Sequence, residues 1–447
     1  MTAKGHAMHH GSESGTRDKR FQLKIRHVIL AVFVALLGAA IVYLGLLSSG
    51  ANRRLEALRA AGQPTSMAEW ALRNKLPMGM ENAAPIYESA FAAFVPPPED
   101  ANVPYVGKKY VAPRRGVALS ESEAKAAAEC LAANEKCLAL LHEAAAIPTC
   151  RYDYDYKQGY PHLSTLRSCV LLLRLAGVCS AGKGDPNAVI TYTKDALSLG
   201  DSLRNEPQLI SYLVHQACTG AAISGLEHAL SLAPFTDSQL KDLDGALLAA
   251  GEGANLAQTM VGERCFMIDC IRDPLMAGMG RSASTAFKLP GVRSQGIIDI
   301  VDYMNACVEA ARLPPVQRVK RFAEIEGILH KAPVFHMAAQ MLVPAVARIE
   351  VLDSRGRAHL DLARTALAVE RHRLATGNVP GQLTDLVPKY LGEVPLDPFD
   401  GQPIRYRRTE PGYVLWSINE DGKDDGGKER DEVGKGEPYD LCFIVTR

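Results

Sequence analysis

The sequence predicts a mainly α-helical protein: a transmembrane helix near the N-terminus, then a long α-helical array, then a small α+β module. Three observations carry this. Alanine and leucine are abundant while aromatics make up only 6% of 447 residues, which favours helices over sheets. Val28 to Leu47 is a run of twenty residues without a charge. The alternation typical of strands is confined to the segment after Pro403.

Residues 1–27 form a cytoplasmic tail. Its His6, His9 and His10 are read as a solvated cluster and not as a metal site. At 1.5 Å per residue the run 28–47 crosses a hydrocarbon core of about 30 Å, so the lipid bilayer is its expected partner. Arg17, Lys19, Arg20, Lys24 and Arg26 precede the run, and Arg53, Arg54 and Arg59 follow it. The basic excess on the N-terminal side places that end in the cytoplasm, with the bulk in the periplasm or outside. The expected location is therefore the inner, or cytoplasmic, membrane. A cleaved signal peptide ending near Ser49-Gly50-Ala51 is the alternative, but the apolar run exceeds an ordinary signal core. Lysine plus arginine equals aspartate plus glutamate at 50 each. That balance removes the basic excess a nucleic-acid partner requires.

Residues 48–345 read as an extracytoplasmic α-helical domain. Ser66-x-x-Glu69, Ser120-x-x-Glu123 and Thr236-x-x-Gln239 are capping boxes ahead of apolar-periodic runs. Asp185-Pro186 offers an N-cap followed by proline at the first helical position. Leu163–Ser180, Asn187–Arg204 and Gln208–Leu232 repeat the helical period at similar length, as in stacked α-hairpins of a solenoid. No tetratricopeptide signature accompanies them. Pro96 to Arg115 lacks a sustained period and reads as a long ordered loop. Ten cysteines in an exported body make disulfides possible, one or two at most, while many of them read as small buried apolar residues. Cys265 and Cys270 lack the spacing of a zinc site.

Residues 346–447 change character. A long helix from Val346 to Thr376 ends at Gly377, which suits a left-handed C′ position. Strands are expected at Ile404–Arg408, Tyr413–Ile418 and Leu441–Thr446, with an acidic, glycine-rich loop over Asn419–Glu437.

This last quarter of the chain resembles the globular part of a type II secretion major pseudopilin of the G type. The matching residues are Gly377-Asn378-Val379-Pro380, Val394-Pro395-Leu396-Asp397-Pro398-Phe399-Asp400-Gly401, Gly412-Tyr413-Val414-Leu415-Trp416-Ser417 and Asp421-Gly422 with Asp424-Asp425-Gly426-Gly427. The resemblance implies a helix packed on a three-stranded sheet and a loop that binds calcium. Asp421, Asp424, Asp425 and Asp431 are the expected carboxylate ligands, since calcium takes six to eight oxygens. An EF-hand is excluded because Lys423 stands where a ligand is required. The pattern departs from a pseudopilin at the N-terminus. Arg20 to Ile25 carries neither the glycine nor the glutamate of a prepilin-peptidase site, so polymerisation into a pilus is not expected. The whole plan is similar to uncharacterised membrane-anchored envelope proteins numerous in planctomycetes, a likeness that implies no activity.

No GxSxG, GxxxxGK[ST] or HExxH motif is present. Gly278-Met279-Gly280 lacks a third glycine, and His330 and His336 flank Pro333 without ligand spacing. Glu263-Arg264 is the one acid–cation pair that suggests a general acid, although a structural ion pair accounts for it more simply. Asp269 and Asp273 read as a helix-face and an N-cap acid. The functional expectation is a non-enzymatic scaffold that meets an envelope or secretion-system protein. The alternative is an envelope hydrolase with its site near Glu263.

Overall fold

A computed structural model describes residues 13–108, 113, 115–153, 159–253, 255–275, 285, 289–329, 344–434 and 436–447. The tail histidines, Gly278-Met279-Gly280, His330 and His336 lie outside the described residues.

The described chain is mainly helical. Helix α1 (Glu13–Ala60) runs without a break for 48 residues, about 72 Å at 1.5 Å per residue. From Val28 to Leu46 its apolar side chains are exposed. Beyond Gly50 the same helix turns inward, and Ala51, Leu55 and Leu58 are buried. Short α2 (Met67–Arg73) and α3 (Ala84–Ala93) follow. Next come α4 (Glu121–Ala133), α5 (Glu135–Ala145), α6 (Pro161–Gly182), α7 (Pro186–Asp201), α8 (Leu209–Leu232) and α9 (Asp237–Gly253). The remaining helices are α10 (Leu256–Arg272), α11 (Pro290–Ala311), α12 (Pro315–Leu329) and the long α13 (Pro344–Thr376). Helix α6 is also long and apolar enough to cross a membrane, but over half of that stretch is buried, as in a core helix.

Local signals start and stop these helices. Ser66, Ser120 and Asp185 accept hydrogen bonds from the backbone N–H three residues on, satisfying donors that a helix start leaves free. Thr236 and Gln239 exchange the two bonds of a capping box. Helix α13 stops at Gly377, which adopts φ +81 and donates to the Arg373 carbonyl 2.8 Å away.

The sheet is antiparallel in the order β1 (Arg405–Thr409), β2 (Gly412–Ser417), β3 (Leu441–Val445). Tyr413 pairs with Val445 and Leu415 with Phe443. Gly412 is needed at its turn, with φ +108 and the Val445 carbonyl oxygen 1.8 Å from where a Cβ would sit.

Two cores hold the molecule. The larger gathers α3 to α9, the C-terminal half of α13 (Leu362 to Val369) and the sheet residues Tyr413, Leu415, Phe443 and Val445. The second joins the end of α1, α2, the start of α8, α10, α11, α12, and Val346 and Ile349 of α13. Between them lies a buried polar network. Arg318 of α12 meets Glu350 at 3.5 Å and also Asp353, which accepts from the Tyr212 hydroxyl of α8. At the edge of the second core Arg54 holds Asp302 of α11 through two bonds of 2.7 Å.

None of the possible disulfides is formed: all ten cysteines are free, and nine are buried, as small apolar core residues would be. Cys137 and Cys169 meet at 4.0 Å between Sγ atoms, unbonded. The helices use cysteine as a small side chain at close contacts, as Cys218 does where its Cβ would lie 3.0 Å from a Cβ on Gly200.

Helix α10 passes very near the segment before α8. A Cβ on Gly262 would lie 2.3 Å from the Pro207 carbonyl oxygen and 2.6 Å from its Cα. Both obstacles are fixed backbone, so the helix or the segment must move. Gly262→Ala is expected to cost about 1–3 kcal/mol, read as a lower urea midpoint. An unchanged midpoint would refute the close approach.

Candidate functional site

The C-terminal acidic loop, between β2 and β3, is organised by one buried carboxylate. Asp397 is fully buried and accepts four kinds of donor: the Phe399 N–H, the Ser417 hydroxyl, the Ile418 N–H and the Arg405 guanidinium. These bonds fix the end of β2 and launch the loop. Asp424 accepts from the Trp416 indole at 2.9 Å and from the Gly426 N–H at 3.0 Å, with Arg405 3.7 Å away. Asp421 closes a tight turn by accepting from the Lys423 N–H.

Among the described residues, three oxygens in and beside this loop are buried with no donor. They are Oδ1 of Asn419, Oδ2 of Asp425 and Oδ1 of Asp440. Asn419 is 3% exposed, adopts φ +60, and is tied by its amide to the Tyr439 carbonyl. Asp440 is 1% exposed and accepts from the Gly427 N–H at 2.7 Å. Burial pushes its carboxyl above the usual range, against the pull of the Gly427 and Asp425 N–H groups, and the Asp424 and Asp425 charges add to the rise. Orphaned buried acceptors are costly in a folded protein, and oxygens without donors suit a hard cation. Among the described residues, however, no three His, Cys, Asp or Glu side chains form a ready-made metal set. Asp421 and Asp424 are exposed and Asp425 half-buried. Asp431 sits instead on the 3-10 turn Arg430–Glu432, where it lines a separate cavity. Sequence spacing did not reveal Asn419 and Asp440, because Asp440 lies beyond a proline and belongs to the approach to β3.

That cavity, of about 380 Å3, lies beneath the loop, against α6 and α8. Glu227 of α8 is buried in its wall and receives the Ile444 N–H at 2.7 Å and the Arg115 guanidinium at 3.1 Å. Arg115 also reaches Glu429. Burial pushes the Glu227 carboxyl up to about 7, against the opposing pull of Arg115. The next residue, His228, is 3% exposed, and its Nε2 has no hydrogen-bond partner among the described residues. Burial lowers its pKa to about 4, with Arg174 and Arg115 acting in the same direction, so the imidazole is neutral. Arg174 of α6 lies 3.9 Å above the Tyr105 ring and donates to the Ser224 hydroxyl at 2.7 Å. None of these residues carries a motif. The only sequence signal was a Glu-His pair inside an otherwise apolar helix.

Glu263 and Arg264 do not pair. Adjacent residues of a helix point about 100° apart, and each finds its own partner. The half-buried Glu263 accepts from the N–H of Leu209 at 3.0 Å, the first residue of α8, whose N-cap Gln208 supplies no side-chain bond. Arg264, fully buried, reaches Asn305, Gln63 at 2.7 Å and the Pro64 carbonyl at 3.5 Å. Asp269 repeats the theme, accepting from the Met67 N–H at the start of α2 at 2.8 Å. Asp273 stands at the C-cap of α10, not at an N-cap. Helix α10 thus supplies two carboxylates that close other helices' N-termini, where the helix dipole favours negative charge.

No family of proteins, curated protein or solved structure matches the chain.

Burial raises the Glu263 carboxyl to about 7 from an ordinary value of 4.5, partly offset by the Leu209 bond. Between those values the folded state holds more protons than the unfolded one, so stability falls as pH rises through the window. Glu263→Gln keeps an acceptor for Leu209 and removes the titration. From pH 5 to pH 8 the variant should gain stability relative to wild type, on the order of 1–3 kcal/mol. Parallel denaturation midpoints at both pH values would contradict the assignment.

Proposed function

We propose that the chain is a membrane-anchored cell-envelope protein that acts as a non-enzymatic interaction scaffold, linked through its C-terminal module to a type II secretion-like system. One observation carries the anchoring: a single unbroken helix has an exposed apolar belt from Val28 to Leu46, then buries Ala51, Leu55 and Leu58 in the second core. An exposed belt of that length is unfavourable in water and suits a bilayer. The basic flank at Lys24 and Arg26 sets the tail inside and residues 48–447 outside. The scaffold reading rests on Glu263, whose carboxylate is engaged as a helix cap, and on the array of paired helices between the anchor and the sheet.

Calcium is part of the proposal. Asp425, Asp440 and Asn419 would hold it through their orphaned oxygens, with Asp424 adjacent and loop carbonyls completing the shell. The ion would supply positive charge to the buried acceptors and order the loop.

Protease added to intact spheroplasts should digest the body and spare the tail. A fully protected body would sink the topology. Millimolar calcium should raise the melting temperature of the full-length protein in detergent, as must any ligand bound only by the folded state. Asp440→Asn should remove most of that rise, whereas magnesium should not reproduce it. A wild-type melting curve indifferent to calcium would dispose of the ion.

A further inference from the structure

The cavity under the C-terminal loop has no place in the scaffold reading, yet it has the features of a built site. Its volume of about 380 Å3 falls within the range of small-molecule pockets. Its walls come from four separate parts of the chain: Tyr105 and Arg115 of the long connection, Arg174 of α6, Glu227 and His228 of α8, and Glu429 of the loop.

Three independent observations converge there. His228 is nine-tenths buried or more and lines the cavity with a ring nitrogen that has no partner among the described residues, and a buried polar group in that state calls for a partner from outside the chain. Tyr105 adopts φ +64, a left-handed conformation that costs a non-glycine residue strain and concentrates at binding sites. That conformation sets its ring 3.9 Å beneath the Arg174 guanidinium, which the Ser224 hydroxyl also fixes. The third observation is charge. The Arg174 and Arg115 guanidiniums both oppose protonation of His228, so two positive charges lie close to the neutral imidazole. The acids of the cavity are otherwise engaged: Arg115 bridges Glu227 and Glu429, and Asp431 is exposed on its turn.

We propose that this cavity binds the oxyanion group, carboxylate or phosphate, of a small soluble ligand, held between Arg174, Ser224 and His228. A preorganised guanidinium, a hydroxyl and a neutral imidazole N–H are donors suited to anionic oxygens. The exposed Asp431 then meets the outer end of the ligand and favours a cationic or hydroxylated group there.

The test uses the full chain in detergent, with inorganic phosphate and acetate as probes and sodium chloride at matched ionic strength as control. At least one oxyanion should give a saturable rise in melting temperature beyond chloride. Arg174→Met and His228→Phe should each weaken the apparent affinity tenfold or more. Should Arg174→Met fail to fold, His228→Phe and Ser224→Ala decide. A rise no greater than with chloride overturns the site, and so does a rise that survives these substitutions, because binding would then lie elsewhere. Neither outcome bears on membrane anchoring or on calcium.

Discussion

The open edge of the three-stranded sheet is the constraint around which the C-terminal half is arranged. With the order β1-β2-β3, strand β3 presents N–H groups that β2 cannot take. Exposed edges of this kind invite unwanted pairing. Here α8 closes the edge with side chains one turn apart: Glu227 accepts from Ile444 and Ser231 from Thr446. A helix therefore does the work of a fourth strand. A carboxylate inside a wall needs compensation, and Arg115 supplies it from the long connection. The same arginine reaches Glu429. Sheet, helical array, connection and loop are thus fixed by one chain of hydrogen bonds and ion pairs, and the cavity lies beside it.

Helix α13 gives this arrangement its span. Val346 and Ile349 belong to the second core while Leu362 to Val369 belong to the larger one. Where the helix passes between the two, its apolar face gives way to Glu350, Asp353 and Ser354, all buried. Arg318 pairs with both acids, Tyr212 donates to Asp353 and Ser354 donates to Glu350. Breaking a buried network by removing one member leaves an uncompensated charge, so this junction tolerates substitution less well than the apolar layers on either side.

Much of this was legible in the sequence, for physical reasons. Helix starts are local: Ser120, Asp185 and Thr236 cap as their spacing implies, because the donors they satisfy are three residues away. The strands were found within a residue or two, since period-two alternation survives wherever one face is buried. What local pattern could not show were contacts between distant segments. Glu263 and Arg264 are neighbours in sequence, and the structure sends one to Leu209 and the other to Gln63. Asn419 and Asp440 were missed because burial, not residue type, distinguishes them from solvated acids. Arg115, Arg174 and His228 come from three segments that sequence order keeps far apart. The cysteines were half legible: their number left room for a bridge or two, while their setting among alanine and leucine pointed to the packing role they fill.

The absence of any break in α1 has a mechanical consequence. A pliable linker between anchor and body would let the body swing. Here the segment that would sit among lipid tails and the segment locked against α11 by Arg54 and Asp302 are parts of one rod. Gly291 allows α11 to press against Leu44 itself, since a Cβ there would approach the leucine methyl to 2.6 Å. Tilt of the rod is therefore passed to the body without slack. On the proposed anchoring, the thickness and curvature of the lipid would set the attitude of the C-terminal sheet toward the bilayer, and a change in either would turn the whole body as a lever turns about its pivot.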